Sequence, residues 1–294
     1  MSTRGVSDPF AHCRDLVQKR DYEGFLISKF YPAELQDAYI ALRAFFIELA
    51  MVQESVSNPV IGNMRMQFWR DALKSLSDGR PPKHPIALAL HETTRKYKVP
   101  MYHLKRILDA RVCLYFELET PTHLTVDSLT THAESTSSTF LYLLLSMVNE
   151  SSSPTFSHAA SHVGVAQTIT TLLRALPYHA SKRHMIIPAE ITARQGLSQE
   201  DVFRHGGTAK GLDDAVFELA TVANDHLITA REMFKDTGGK VPGVVRPVFL
   251  AAVPAAVYLE RLEKVNFDAF RPSLQQRSWR LPWRIWLGHY QAKF

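Results

Sequence analysis

Cysteine is scarce in this chain. There are two, Cys13 and Cys113, in no CxxC spacing. Neither a disulfide framework nor a zinc site is indicated, and a reducing compartment is the default. A membrane span is lacking too. The longest clean apolar run is FLYLLLSMV, residues 140–148, far short of the roughly 20 residues a bilayer crossing needs. No stretch of useful length alternates at period two, and no internal repeat is present, which sets aside sheet proteins and solenoids. There is no GxSxG, no phosphate-binding P-loop and no GxGxxG, so nucleophile-elbow hydrolases and nucleotide-binding α/β folds find no support. One absence is local: from Thr170 to Pro188 there is no carboxylate.

What is present is ordinary for a globular protein. The 294 residues suffice for one large domain or two small ones, with 46% apolar and 21% charged residues. The net charge of +5 favours an anionic partner such as phosphate or an acidic membrane surface. The basic residues are scattered and no nucleic-acid-binding signature accompanies them, so no nucleic-acid partner is assigned. The first twenty residues mix Arg4, Arg14, Lys19 and Arg20 with Asp8 and Asp15, a poor match to a secretory signal or a transit peptide.

The pattern is helical almost throughout. Leu35, Ala38, Tyr39, Leu42, Phe45, Phe46 and Leu49 recur at three- and four-residue steps and predict a helix over 33–56, stopped by Asn58-Pro59. Met64, Phe68, Ala72 and Leu76 predict a second over 60–77. Further helices are expected at 86–97, 101–119, 125–148, 158–176, 188–196, 199–204, 211–234, 245–264 and 279–293. The whole reads as an all-α chain: an extension over 1–21, one domain over 22–278, and an aromatic, basic helix over 279–294.

Helical enzymes that handle diphosphates carry carboxylates at i and i+4, on one helix face, to hold Mg²⁺ against phosphate oxygens. The first long helix has Glu48 and Glu54 in its second half, which do not share a face. Asp213, Asp214 and Glu218 fit a helix start, where acids complement the dipole. His158 and His162 have the i, i+4 spacing of metal ligands but no HExxH frame or nearby third ligand. The stretch TLLRALPYHASKRHMIIPAE, 171–190, supplies cations instead. Arg174, Lys182 and Arg183 are candidate anion contacts, and a helix-terminal structural cation is the alternative for Arg174.

Several segments together resemble the squalene/phytoene synthase family: ISKFYPAELQDAYIALRAFF (27–46), FWRDALKSLSDGRPPKHPIALAL (68–90), VGVAQTITTLLRALPYHASKRHMIIPAEITARQGLSQEDV (163–202) and RPVFLAAVPAAVYLERLEK (246–264). The resemblance covers about residues 22–270. It implies an all-α isoprenoid-synthase fold, and an ancestral chemistry that joins two prenyl diphosphates using Mg²⁺ held by two aspartate-rich motifs. By the resemblance, the first motif follows AFFIEL (44–49) and falls on Ala50 and Glu54. The second follows TLLR (171–174) and falls on Ala175 and His179. Three of the four aspartates are absent, so the resemblance implies a pseudoenzyme with no cofactor. Mg²⁺ is needed only if Glu54 and His179 act as substitute ligands in a live prenyl transferase. A lipid- or isoprenoid-binding module is the other alternative.

IGNMRMQFW (61–69) resembles most the branch of the family that serves in assembly of mitochondrial complex I. That implies complex I subunits or assembly intermediates as partners, a place on the matrix side of the inner membrane, and no catalysis. Arg65, Gln67 and Trp69 are candidates for a client-binding or structural surface. Independently, the tail places Trp279, Trp283 and Trp286 on one stripe, with Arg280 and Arg284 beside it. The pattern suits a membrane interface, and equally a helix docked on its own core.

Overall fold

A computed structural model describes residues 8–55, 59–112 and 123–294, residues 53–55 and 59 by their backbone only. Every regular element among them is helical, as the periodicity requires. By contact the chain divides into two compact units, residues 1–119 with 142–153, and 120–141 with 154–294.

The first unit contains α1 (Pro9–Arg20), α2 (Tyr22–Ser28), α3 (Ala33–Ser55), α4 (Pro59–Ser77), α5 (Pro85–Tyr97) and α6 (Met101–Val112). Residues 113–119 of the helix expected over 101–119 lie outside the described residues. The segment read as an N-terminal extension holds α1. Its carboxylate cap is Asp8, which accepts the N–H of Phe10 at 3.0 Å. It buries Cys13 and Val17 and packs on α3 and α5. Asp21 caps α2, accepting the N–H of Gly24 at 2.9 Å, and its other oxygen pairs with Arg43 of α3. Leu42, Phe45 and Leu49 line the buried face of α3. Phe45 meets the edge of Trp69 from α4 at a centroid distance of 5.2 Å.

The second unit holds α7 (Val126–Ala133), a π-turn (Glu134–Ser138), the first residues of α8 (Thr139–Met147), then α9 (Pro154–Ser181), α10 (Ala189–Arg194), α11 (Gln199–His205), α12 (Leu212–Glu232), α13 (Arg246–Phe249), α14 (Ala252–Glu263), α15 (Pro272–Gln275) and α16 (Leu281–Gln291). Val165, Ile169, Leu173 and Leu176 of α9 share one core with Val216, Leu219 and Ala223 of α12 and with Tyr258 and Leu262 of α14.

Two differences from the sequence reading have identifiable reasons. The helix expected over 125–148 runs without a gap from Val126 to Met147, but its middle is the π-turn rather than α-helix. There Thr136 donates to the His132 carbonyl at 2.8 Å and Thr139 to that of Glu134 at 2.7 Å, so hydroxyls compete for the backbone acceptors of the ladder. The turn presses on Gly164 of α9, where a Cβ would lie 2.4 Å from the Ser138 nitrogen.

The second difference is the end of α9. The helix does not stop before Pro177 but runs to Ser181. Pro177 gives up one backbone hydrogen bond, yet Leu173, Leu176 and Ala180 continue the buried face across it. The helix ends in a Schellman arrangement. The N–H of His184 reaches the His179 carbonyl and that of Arg183 the Ala180 carbonyl, both at 2.9 Å, with Arg183 left-handed at φ 60°. Among the described residues no helix is long and apolar enough to cross a membrane.

Candidate functional site

The last two turns of α9 hold Ala175 and His179, the positions that the resemblance assigns to the second motif. Ala175 and His179 are four residues apart, which stacks them on one face. Both are half-buried. Burial, and then the nearby His184, lowers the His179 pKa, so this position presents a neutral imidazole at physiological pH. Arg174 is half-buried, and its carbonyl accepts from Gln275 Nε2 at 3.1 Å. It lies close enough to Tyr258 to act on its phenol, which burial pushes up while Arg174 and Arg261 pull it down. Lys182 is exposed. Arg183 is engaged elsewhere: it donates to Glu200 at 2.6 Å and lies over the Phe203 ring. Glu200 also accepts from Arg204 at 2.6 Å. The three cations singled out in the sequence therefore do not share one role.

In the first unit Ala50 is half-buried on α3, and the Glu54 side chain lies outside the described residues. The informative acid here is Glu48. Burial raises its carboxyl, opposed by the charges of Arg65 on α4 and His12 on α1. Sequence reasoning missed this grouping because its members come from three helices.

The segment 61–69 is apolar on both sides of α4. Gly62, Met66 and Trp69 are buried, while Ile61, Met64 and Phe68 are exposed. Of the three candidates in this segment, Trp69 is a core residue, the alternative that its apolar ring already favoured. It lies against Phe45, Phe68 and His84. Gln67 donates to Asp71 at 3.0 Å on the solvated face, and Arg65 is the exposed member beside Glu48. The face read from Met64, Phe68, Ala72 and Leu76 is therefore buried only at Ala72 and Leu76; at this end of α4 the buried stripe runs through Gly62, Met66 and Trp69 instead.

His158 and His162 do come together, joined by His226 from α12. His162 Nε2 is 3.2 Å from His158 Nε2, and His162 Nδ1 is 2.7 Å from His226 Nδ1. Each nitrogen of the central ring faces another ring, which is the geometry of a hydrogen-bonded chain. Among the described residues no group of three His, Cys, Asp or Glu side chains is arranged to hold a metal ion. Asp213 and Asp214 open α12. Glu218 is held by Arg194 and by Gln195 Nε2 at 2.8 Å.

In the tail, the aromatic stripe is not the face that docks on the core. Trp279, Trp283 and Trp286 are all exposed. Arg284 makes a bidentate pair with Glu260 of α14, at 2.5 and 3.0 Å, and Arg280 lies over the Trp279 ring.

This helical architecture is that of the isoprenoid synthases. A squalene synthase from Alicyclobacillus acidocaldarius superposes with a TM-score of 0.74 at 15% identity, over 88% of this chain and 94% of that one. The family model described as squalene/phytoene synthase matches residues 17–286, and the chain belongs to that family. Within it, the chain is 38% identical to a rat protein named NADH dehydrogenase (ubiquinone) complex I, assembly factor 6, over 99% of this chain and 84% of that one. It is 37% identical to the human protein of the same name, over 96% of this chain and 82% of the other.

Proposed function

We propose that this chain is a non-catalytic member of its family that acts early in assembly of mitochondrial complex I, peripherally on the matrix side of the inner membrane. The observation that carries the catalytic half is the donor set at the motif positions. Mg²⁺ takes oxygen ligands in near-octahedral geometry. Ala50 and Ala175 offer none, and His179 offers a neutral, half-buried nitrogen. These residues do not fit the metal that family chemistry uses to neutralise a departing diphosphate, so no transfer step is derived through it. A transferase that used Glu54 and His179 instead would ask an imidazole to stand in for a hard oxygen donor. The names of the rat and human relatives support the assembly half. That name suggests complex I subunits or assembly intermediates as the clients here.

Two measurements test the reading. Mitochondria lacking the protein should lose assembled complex I on native gels while the other respiratory complexes persist, and normal complex I in the null would refute the assignment. Purified protein with Mg²⁺ and farnesyl or geranylgeranyl diphosphate should release no pyrophosphate above a boiled control. Turnover there would restore the enzyme.

A further inference from the structure

The C-terminal helix α16 has two apolar faces. Leu281, Ile285 and Ala292 are buried, and α16 packs on α14. Gly288 belongs to the same face: a Cβ there would meet Val253 at 3.4 Å and Leu250 at 3.6 Å. At roughly 100° per residue, positions 283, 286 and 290 fall within about 60° of one another on the opposite side. That side is not covered. Trp279 is 75% exposed, Trp283 67%, Trp286 50% and Tyr290 75%, with Leu287 also exposed. The rings rest on each other: Trp286 stacks on Tyr290 at 5.5 Å, and Trp283 meets the edge of Trp286 at 6.4 Å. Such an aromatic platform, open to water, is a surface whose partner is elsewhere.

The surrounding charge says which partner. From Ala269 to the last residue there is no Asp or Glu, while Arg271, Arg277, Arg280, Arg284 and Lys293 are present; of these, Arg271 is paired with Asp268 at 3.2 Å. The nearest acid of the supporting helix, Glu260, is answered by Arg284. Tryptophan and tyrosine favour the headgroup level of a bilayer, where an apolar ring meets hydrocarbon and its N–H or O–H meets water. Basic residues beside them favour anionic headgroups.

We propose that the outer face of α16, built on Trp283, Trp286 and Tyr290 with Trp279 in the turn that precedes the helix, docks in the plane of a bilayer surface that carries anionic phospholipid. The proposal rests on the peripheral-membrane part of the function given above and is independent of the complex I part.

The test uses the full chain and vesicles of phosphatidylcholine with or without cardiolipin. Flotation should occur with the cardiolipin vesicles and be reversed by high salt. Trp283→Ser/Trp286→Ser/Tyr290→Ser should lower the partition constant by at least about tenfold per tryptophan removed, with circular dichroism unchanged because all three side chains are exposed. A second reading needs no variant. Of the four tryptophans, three are on this face and Trp69 is in the core. Brominated acyl chains should therefore quench most of the emission and leave the residue of Trp69. A triple variant that still floats, or tryptophans that escape quenching in floated protein, would remove α16 from the membrane while leaving the peripheral reading intact. A full chain that binds no vesicles at all would overturn both. A platform that instead closes a dimer, seen as self-association lost in the triple variant, also overturns the proposal.

Discussion

Replacing Gly164 by alanine tests the packing that holds α9, the helix of the second motif, against the π-turn. An alanine Cβ would lie 2.4 Å from the Ser138 nitrogen and 2.5 Å from its Cα. The obstacle is backbone, so no rotamer change relieves it, and the turn must back away by about 1 Å to restore contact distance. Two hydrogen bonds depend on that proximity: Ser138 Oγ donates to the Ser161 carbonyl at 2.8 Å, and Thr168 Oγ1 to Ser137 Oγ at 2.7 Å. Each contributes about 1 kcal/mol. Overpacking adds about 3 kcal/mol when rigid atoms are in the way, and alanine's helix propensity returns about 1 kcal/mol. The net expectation is a loss of about 4 kcal/mol. With a denaturant slope of about 3 kcal/mol/M for a chain of this size, the urea midpoint should fall by about 1 M. Ser138→Ala in the same background removes only the hydroxyl and should not rescue the variant. A midpoint unchanged by Gly164→Ala, or full rescue by Ser138→Ala, would show that the turn yields freely and that the close approach does not set its conformation.

Asp21→Ala should destabilise the first unit by about 3–5 kcal/mol, because it leaves Arg43 half-buried without its carboxylate and uncaps α2. Combining it with Arg43→Met should restore part of the loss in a double-mutant cycle, and strict additivity would dismiss the pair. The histidine chain makes stability pH-dependent. Burial first, then the charges of His226 and His158, lowers His162 from its ordinary 6.5 to about 4. The folded state therefore binds fewer protons than the unfolded one between those values. Stability is full above about pH 6.5 and declines as pH falls toward 4. A shift of that size is worth up to about 3 kcal/mol, and the ring's partial exposure reduces it to about 1–2 kcal/mol. His162→Gln should flatten the decline in an acid titration of the unfolding midpoint, and a variant with the same slope as the parent would count against the chain.

The long helices were legible because their buried faces repeat. Leu42, Phe45 and Leu49 on α3 state the period outright. Helix α1 was not, because it buries only Cys13 and Val17, and two apolar positions define no period. The π-turn was hidden for another reason. Its conformation is set partly by Gly164, a residue distant in sequence. The end of α9 was misplaced because the strongest local signal, Pro177, is overridden by burial, and the usual glycine of a Schellman end is replaced by Arg183. At the site, the motif positions rest on resemblance alone, and the Glu48–Arg65 and His162–His226 neighbours were not legible at all. Each joins different helices, and only packing brings them together. The aromatic tail was ambiguous because α16 carries an apolar stripe on both faces, and composition does not say which one the fold uses.

On the proposed non-catalytic reading, the end of α9 explains how a chain of this family could part with its metal ligands and keep its fold. Two aspartates at 175 and 179 would sit one turn apart near a helix C-terminus, repelling each other and the negative end of the helix dipole. A divalent ion offsets both penalties in an enzyme. With Ala175 and His179 neither penalty exists, and this helix end needs no ion to stand. The residues that fold it, Leu173, Leu176 and Ala180, point into the core and do not overlap with the motif positions. The basic turn also has a reason to persist without phosphate. Lys182 and Arg183 lie at the negative end of the dipole, and the backbone of Arg183 and His184 closes the last carbonyls. On that reading, structural demand and catalytic demand fall on different residues of the same two turns, so losing the second would leave the first untouched.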